Sequence, residues 1–370
     1  MHRQVTECRI CKGEGLAVLL ELGTQALTGV FPRRPDPQLT KGPLTLARCD
    51  NCGLVQLLHS YERDELYGPH YGYRSSLNRR MVDHLESKAL ALKSAANLRP
   101  GDVVVDIGSN DGTLLSFFSG ENLSLLGFDP SAARWRGNYP ADSSLIADFF
   151  TADLYRGALG RRKARVVTSI AMFYDLERPL DFAYEVADIL ADDGVWHLEQ
   201  SYLPAMLRVN AYDTICHEHV EYYALAQIKW LADKVGLAIL DVEFNDVNGG
   251  SFAVTLGRNR RIAPRGEDRV ERSLDEERRL GLDTLRPFAE FRSRVLAHRH
   301  QLRAQLEDIR ARGERVLGYG ASTKARARKP DYFLVFPWHF RAGIVEREAA
   351  YLAAGGRLMF PLPTIDVVSA

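Results

Sequence analysis

The sequence predicts an α/β protein in three parts. A small cysteine-bearing domain stands in front, a mostly parallel sheet fills the centre, and a shortened second α/β domain follows. Three observations predict this. Two Cys-x-x-Cys pairs, Cys8/Cys11 and Cys49/Cys52, fall within the first 60 residues. Apolar stretches alternate with helical patterns from 99 to 257, as in a parallel sheet covered by helices. The same alternation restarts at 314. A chain of 370 residues also exceeds an ordinary single domain. The expected boundaries are 1–60, 61–260, 261–313 and 314–370.

Residues 1–60 read as strands and turns around two similar knuckles, "CRICKGEG" and "RCDNCGLVQL". In each, small residues follow the second cysteine and let the backbone turn around a metal. Zn²⁺ prefers four thiolates in a tetrahedron, and Cys8, Cys11, Cys49 and Cys52 supply them. Such a set leaves no open coordination position, so the zinc is expected to be structural. The domain is therefore zinc-ribbon-like. The competing reading is four unligated buried thiols.

Residues 61–98 begin with the aromatic segment "LYGPHYGYRSSLNRR" and continue as an amphipathic helix, "MVDHLESKALALKSAAN". The strands expected next are "DVVVDIG", "LSLLGFD", "ARVVTSIA", "GVWHLEQ", "AILDVEF" and "SFAVTLG". Residues 264–311 are charge-dense at helical spacing and predict one or two connector helices with a solvated face. "RVLGYGAS", "YFLVFP" and "RLMFPLP" then carry the last α/β pattern.

Charge and hydropathy narrow the partners. Lys+Arg and Asp+Glu are equal at 48 each. A neutral chain lacks the basic face that nucleic acid or an anionic membrane requires. No apolar run approaches the ~20 residues of a membrane span. The N-terminal residues lack the apolar core of a signal peptide. The expected location is the cytoplasm, as a monomer or small homo-oligomer.

"VVVDIGSNDGTLLSFF" (103–118) carries the first chemistry. An apolar strand ends at Asp106, and Gly108 and Gly112 frame a turn into a helix, with Asn110 between them. The pattern D-x-G-x-x-x-G differs from the G-x-G-x-x-G of dinucleotide enzymes. About 20 residues on, "LLGFDPS" sets Asp129 at the next strand end, within reach of ribose hydroxyls. "IADFFT" adds Asp148 and Phe149 for an adenine amine and ring face. This trio fits the S-adenosylmethionine site of a class I methyltransferase with its Rossmann-like sheet.

"YDTICHEHVEYY" (212–223) is the second. Three readings compete: a metal site, a polar turn at a helix start, and a general base. His217 and His219 share a face only on a strand. Methylation at carbon needs a base, and histidine titrates near neutrality. Glu218 would orient it, and a tyrosine would steady an enolate oxygen.

Here the chain resembles the sugar C-methyltransferase family, which acts on nucleotide-linked keto-deoxysugars made for antibiotics and surface glycans. The two knuckles, "DIGSNDGTLL", "HEHVEYY", "NGGSF" (248–252), "GYGASTK" (318–324) and "PWHF" (337–340) carry the resemblance in that order over nearly the whole chain. It implies a zinc-binding N-terminal domain, a class I methyltransferase fold and a C-terminal Rossmann-like domain, with substrate between them. It implies His219 as the base that takes a proton from the carbon beside the sugar ketone, with Glu218 assisting. Tyr71 and Tyr73 would wall the sugar pocket, Tyr73 and Tyr222 acting with the base. His217, Asn248, Gly249 and Lys324 are further substrate-binding candidates. The competing functions are O- or N-methylation of another small metabolite, and binding without turnover.

Two departures stand in the centre. Cys216 occupies a position that is often tyrosine in the family. "SIAMFYDLERP" (169–179) lacks a histidine that some members carry, and has Met172, Phe173 and Tyr174 there. A third lies near the end. Only "TKARARK" separates "RVLGYGAS" from "PDYFLV", barely enough for one short turn where a crossover needs roughly 10–12 residues. Several dozen residues of the family pattern are missing, either as a trimmed subgroup or as an internal deletion. If this domain grips the nucleotide, as the family suggests, affinity for a nucleotide-sugar falls while the methyl-donor site survives.

Overall fold

The computed structural model describes residues 2–28, 38–67, 72–258, 266–320 and 330–370. In the N-terminal part, β1 (His2–Gln4) pairs with β5 (His59–Tyr61), while β2 (Leu16–Ala26), β3 (Lys41–Cys49) and β4 (Val55–Leu57) form an antiparallel meander. A strand from far along the chain completes this sheet. β11 (Glu221–Tyr222) sets Glu221 opposite Gln56 and Tyr222 opposite Val55. The small domain is thus not closed at residue 60. Its edge is supplied by the residues that follow "HEH".

The central sheet contains β6 (Val103–Ile107), β7 (Ser124–Phe128), β8 (Ser143–Ile146), β9 (Ala164–Ile170), β10 (Leu190–Ser201), β12 (Ala238–Asn245) and β13 (Ser251–Gly257). Their order is β12-β13-β10-β9-β6-β7-β8. β13 runs antiparallel to both its neighbours, and the pairs from β10 to β8 are parallel. All six expected strands are present. β8 was not among them, because residues 143–146 form a half-exposed edge with no apolar run to mark it.

Every residue of β6 is buried, as befits a strand covered on both faces. One cover is the helix Arg79–Ala96. It starts where the Asn78 side chain accepts from Arg80 N–H and ends at Asn97 in the left-handed conformation, φ 47°. Its Leu85, Ala89 and Leu92 pack with Val104, Leu125 and Val195. On the other face, Phe182, Ala183 and Val186 of helix Pro179–Ile189 pack with Trp196 and Phe173. Cys8, Ile10, Cys49 and Leu54 join this second core, so the knuckles are built into the sheet's packing. The chain crosses from one side of β6 to the other between β8 and β9. Such a reversal opens a crevice at the carboxyl ends of the strands.

Residues Met1–Leu203 with Ile215–Asp283 form one compact unit, and Pro204–Thr214 with Thr284–Ala370 another. The 264–311 stretch holds two helices, Gly266–Leu280 and Arg286–Ala311, which fall in different units. In the second unit β14 (Val316–Tyr319), β15 (Tyr332–Val335) and β16 (Arg357–Phe360) run parallel, and β17 (Asp366–Val368) closes antiparallel. Tyr319, Phe333, Val335, Leu358 and Phe360 make its core. Among the described residues β14 is an edge strand, and "TKARARK" lies outside them. No helix among the described residues is long and apolar enough to cross a membrane.

Candidate active site

The crevice at the ends of β6, β7 and β9 is a cavity. Asp106, Gly108, Asn110, Asp129, Asp148 and Phe149 all line it, with Tyr73 across from them. Gly108 and Gly112 both have φ 78°, a conformation that disfavours any side chain. A Cβ on Gly108 would come within 2.9 Å of Met172 Cγ, and one on Gly112 within 2.9 Å of the Tyr139 ring. Asp106 is buried and accepts from Thr168 Oγ1 at 2.7 Å. Burial pushes its carboxyl up to about 7 despite that hydrogen bond, and the nearby Asp129 adds to the rise.

Asp129 is aimed by its neighbours. Oδ2 accepts from Asn110 N–H at 2.9 Å, and Oδ1 accepts from Ser131 N–H at 2.7 Å and Ser131 Oγ at 2.6 Å. Asp148 is exposed and accepts from Phe149 N–H at 2.7 Å. The Arg63 guanidinium lies 4.4 Å above the Phe149 ring.

Residues that the sequence did not single out hold this loop. Tyr139 Oη lies 2.7 Å from Ser109 Oγ and donates to Asn110 O at 2.9 Å. Asn110 Oδ1 accepts from Ser75 N–H at 3.0 Å, and its Nδ2 donates to Tyr73 O at 3.2 Å. Asp111 accepts from Ser76 N–H and Thr113 Oγ1 and pairs with Arg74 at 3.5 Å. Asn110 and Asp111 thereby dock the aromatic segment onto the loop. Tyr73 itself is 48% exposed, open to a ligand along one side.

The stretch 216–223 lies against the residues just beyond β9. Val220 N–H donates to Tyr174 O at 2.9 Å, and the His219 ring packs on the Tyr174 ring at 4.2 Å. Asp175, Leu176 and Glu177, next along the chain, line the cavity. Glu218 accepts from Thr28 Oγ1. Tyr222 is buried and hydrogen-bonds to the Cys216 backbone. Burial pushes both the Tyr222 hydroxyl and the Cys216 thiol well above their ordinary values.

His217 does not reach the cavity. It is fully buried, with Nδ1 3.2 Å from Thr28 Oγ1, Nε2 3.3 Å from Gly42 O, and its ring edge-on to Tyr61 at 4.6 Å. It ties the stretch to the N-terminal sheet. Asn248 and Gly249 form the turn between β12 and β13, away from the cavity lining. Tyr71 and Lys324 lie outside the described residues.

The four knuckle sulfurs lie within 4.8 Å of one another, with Cys8–Cys52 and Cys11–Cys49 each at 3.5 Å. A tetrahedral zinc with ~2.3 Å bonds needs sulfurs about 3.8 Å apart, so the set fits the ion. The knuckles repeat one geometry. Cys8 N–H donates to Gly13 O and Cys49 N–H to Leu54 O, both at 2.8 Å. Lys12 and Gly53 fill the same left-handed position, φ 61° and 74°. Between Cys8 and Cys11, buried Arg9 donates to Leu57 O at 2.6 Å, Ser60 Oγ at 3.0 Å and Val220 O at 3.5 Å. The knuckle therefore grips the residue next to His219.

Comparison with known families decides what this cavity is for. Residues 73–242 match the family model of a methyltransferase domain, and 8–67 that of a zinc binding domain. Residues 246–327 and 323–363 match the C-methyltransferase C-terminal domain. The chain is similar to C-methyltransferase NovU of Streptomyces niveus, 29% identical over all of this chain and 98% of that one. The protein is an S-adenosylmethionine-dependent C-methyltransferase.

In this C-methyltransferase the C-terminal match comes in two pieces that meet at 323–327. The alignment with NovU spans 418 positions against 370 residues, so at least 48 of them face gaps in this chain. Among solved structures it is similar to magnesium protoporphyrin IX methyltransferase of Synechocystis PCC 6803, at 15% identity and TM-score 0.38 over 51% of this chain and 90% of that one. It is also similar to the CcbJ methyltransferase of Streptomyces caelestis, at 13% identity and TM-score 0.37 over 47% and 88%. Superposition at that level does not bear on substrate.

The residues present fit S-adenosylmethionine: Asp129, fixed by Asn110 and Ser131, would meet the ribose hydroxyls, Phe149 would offer a ring face, and Gly108 would allow close backbone approach. When bound, that cofactor supplies an electrophilic methyl group. The C-methyltransferase's own residues must create the carbon nucleophile.

Proposed function

We propose that the enzyme C-methylates a nucleotide-linked keto-deoxysugar at the carbon beside the ketone, with His219 as general base. The observation that carries this reading is the placement of His219. It is not itself among the lining residues, but its ring packs at a 52° tilt on Tyr174, one residue before cavity-lining Asp175. His219 takes the proton from the carbon, and the electron pair moves onto the ketone as an enolate. Glu218, anchored by Thr28, flanks the base in the chain. Tyr73 and the cofactor loop bound the opposite side, where the sugar ring would sit. The order of the "NGGSF", "GYGASTK" and "PWHF" segments supports the nucleotide-sugar class. The split C-terminal match supports a shortened nucleotide-gripping domain.

The test is solvent deuterium exchange into a 4-keto-deoxysugar nucleotide without methyl donor. The wild type is expected to exchange at the carbon beside the ketone. His219→Ala is expected to lose both exchange and methylation by about 10²–10⁴-fold, with affinity for S-adenosylhomocysteine unchanged. Retained methylation in that variant would remove His219 as the base.

A further inference from the structure

An enolate needs a hydrogen-bond donor at its oxygen as much as a base at its carbon. The position often held by tyrosine is Cys216, whose thiol is a poor donor, and Tyr222 is turned to the Cys216 backbone. Among the described residues neither lines the cavity, but Asp175 does. Its Oδ1 is shielded from water and has no hydrogen-bond partner. A buried polar atom without a partner costs roughly 1–3 kcal/mol, so in a native fold it asks for an explanation.

We propose that Asp175 is a catalytic residue of this C-methyltransferase, donating a hydrogen bond from its carboxyl to the enolate oxygen of the substrate. The inference rests on the reading of the reaction given above. As His219 accepts the proton from carbon, the C–H electron pair becomes a carbon–carbon double bond. The ketone oxygen then takes the negative charge beside the Asp175 O–H. No bond to Asp175 is made or broken, and its proton stays with it through the step.

The surroundings keep that proton in place. Burial raises the Asp175 carboxyl well above the ordinary range, Glu218 adds to the rise, and a hydrogen bond from Tyr67 only partly opposes it. The titratable groups around it are Tyr67 from the N-terminal side, Glu177 on its own segment, and Cys216, Glu218, His219, Glu221 and Tyr222 from the facing stretch. Before the proton moves, the Tyr67 hydrogen bond favours the carboxylate, and burial with the neighbouring Glu218 outweighs it. A protonated carboxyl in an apolar site is an established way to supply a neutral donor to an enolate.

Two variants test the assignment, Asp175→Ala and Asp175→Asn. Both are expected to bind S-adenosylhomocysteine as the wild type does. In D₂O without methyl donor, Asp175→Ala should exchange about 10²–10³-fold more slowly with the keto-sugar nucleotide, the loss typical of a missing oxyanion donor. Asp175→Asn keeps an N–H donor and should stay within about tenfold of the wild type. It should also lose the high-pH fall in exchange that ionisation of Asp175 produces in the wild type. Wild-type exchange in Asp175→Ala overturns the proposal. Loss of exchange in Asp175→Asn as deep as in Asp175→Ala also overturns it, since the carboxylate would then be the base. A wild type inert toward keto-sugar nucleotides overturns the reaction assignment, and this inference with it.

Discussion

On the cofactor side of the cavity the polar groups are matched to one another. Asp129 accepts three hydrogen bonds, Asn110 makes four, and Tyr139 makes two. On the side of residues 216–223, Asp175 Oδ1 has no partner among the described residues. The two sides also differ in origin. The cofactor side comes mainly from one run of chain, 106–149, supported by Thr168 and the backbone of 73–76. The reactive side is gathered from Thr28, Tyr174, Asp175 and Glu218, and Thr28 alone bonds across 190 residues. A cofactor of fixed shape rewards a site that is complete before it arrives. A reaction that moves charge leaves its donors unpaired until the charge forms.

Zinc removal makes the sharpest cut between the two sides. Arg9 hangs from the knuckle and holds Leu57 and Val220, and β11 continues the knuckle's sheet directly after His219. Among the described residues the cofactor loop shares no hydrogen bond with the knuckles. Structural zinc contributes on the order of 10 kcal/mol to the fold around it. Chelation is expected to lower exchange and methylation by more than about 100-fold, while S-adenosylhomocysteine affinity, measured by calorimetry, falls less than about tenfold. Equal losses in both would mean that the knuckles support the whole unit and that the division is false.

The same difference decided what could be read from the sequence. Asp106, Gly108, Asn110, Gly112 and Asp129 were legible because strand, turn and strand end follow in order, and each residue acts near its own place in the chain. Asp111 was passed over beside Asn110, although its neighbours marked the loop. Tyr139 stands in a short irregular stretch with no periodicity to give it away. The surroundings of His217 were not legible for a different reason. Its type suggested chemistry, while its burial depends on Gly42 and Tyr61, which no local pattern connects to it. Asp175 and Arg9 act only after distant strands meet. The fold was legible for the corresponding reason: five parallel or antiparallel pairings of buried strands follow from apolar runs, and only half-exposed β8 lacked one.

The second prediction concerns a proton on the matched side. Asp106 holds its proton until about pH 7 in the folded protein, whereas the unfolded chain releases it near the ordinary carboxyl value. Between the two values folding takes up a proton, so stability falls as pH rises from about 4 to about 7 and then levels. The span sets an upper limit of about 4 kcal/mol. Asp106→Asn keeps an oxygen for Thr168 and has no proton to lose. In urea titrations at pH 5 and pH 8 without cofactor, the wild type should lose more stability between the two than the variant does. Equal losses would take the proton off Asp106 and leave the cofactor side with no titrating group near neutrality.

The smallest effect is the most discriminating. Tyr139→Phe keeps the ring that fills the space against Gly112 and Gly127 but removes the hydroxyl from Ser109 and Asn110. Each such hydrogen bond is worth about 1 kcal/mol net. The expected result is a 3- to 30-fold loss of S-adenosylhomocysteine affinity with deuterium exchange unchanged. Asn110 also carries the Tyr73 and Ser75 backbone, so a loosened loop has one route to the substrate side. If exchange fell as far as cofactor affinity, that route would be in use. The segment around Tyr73 would then couple the two sides, and cofactor binding would help to set the sugar against its base.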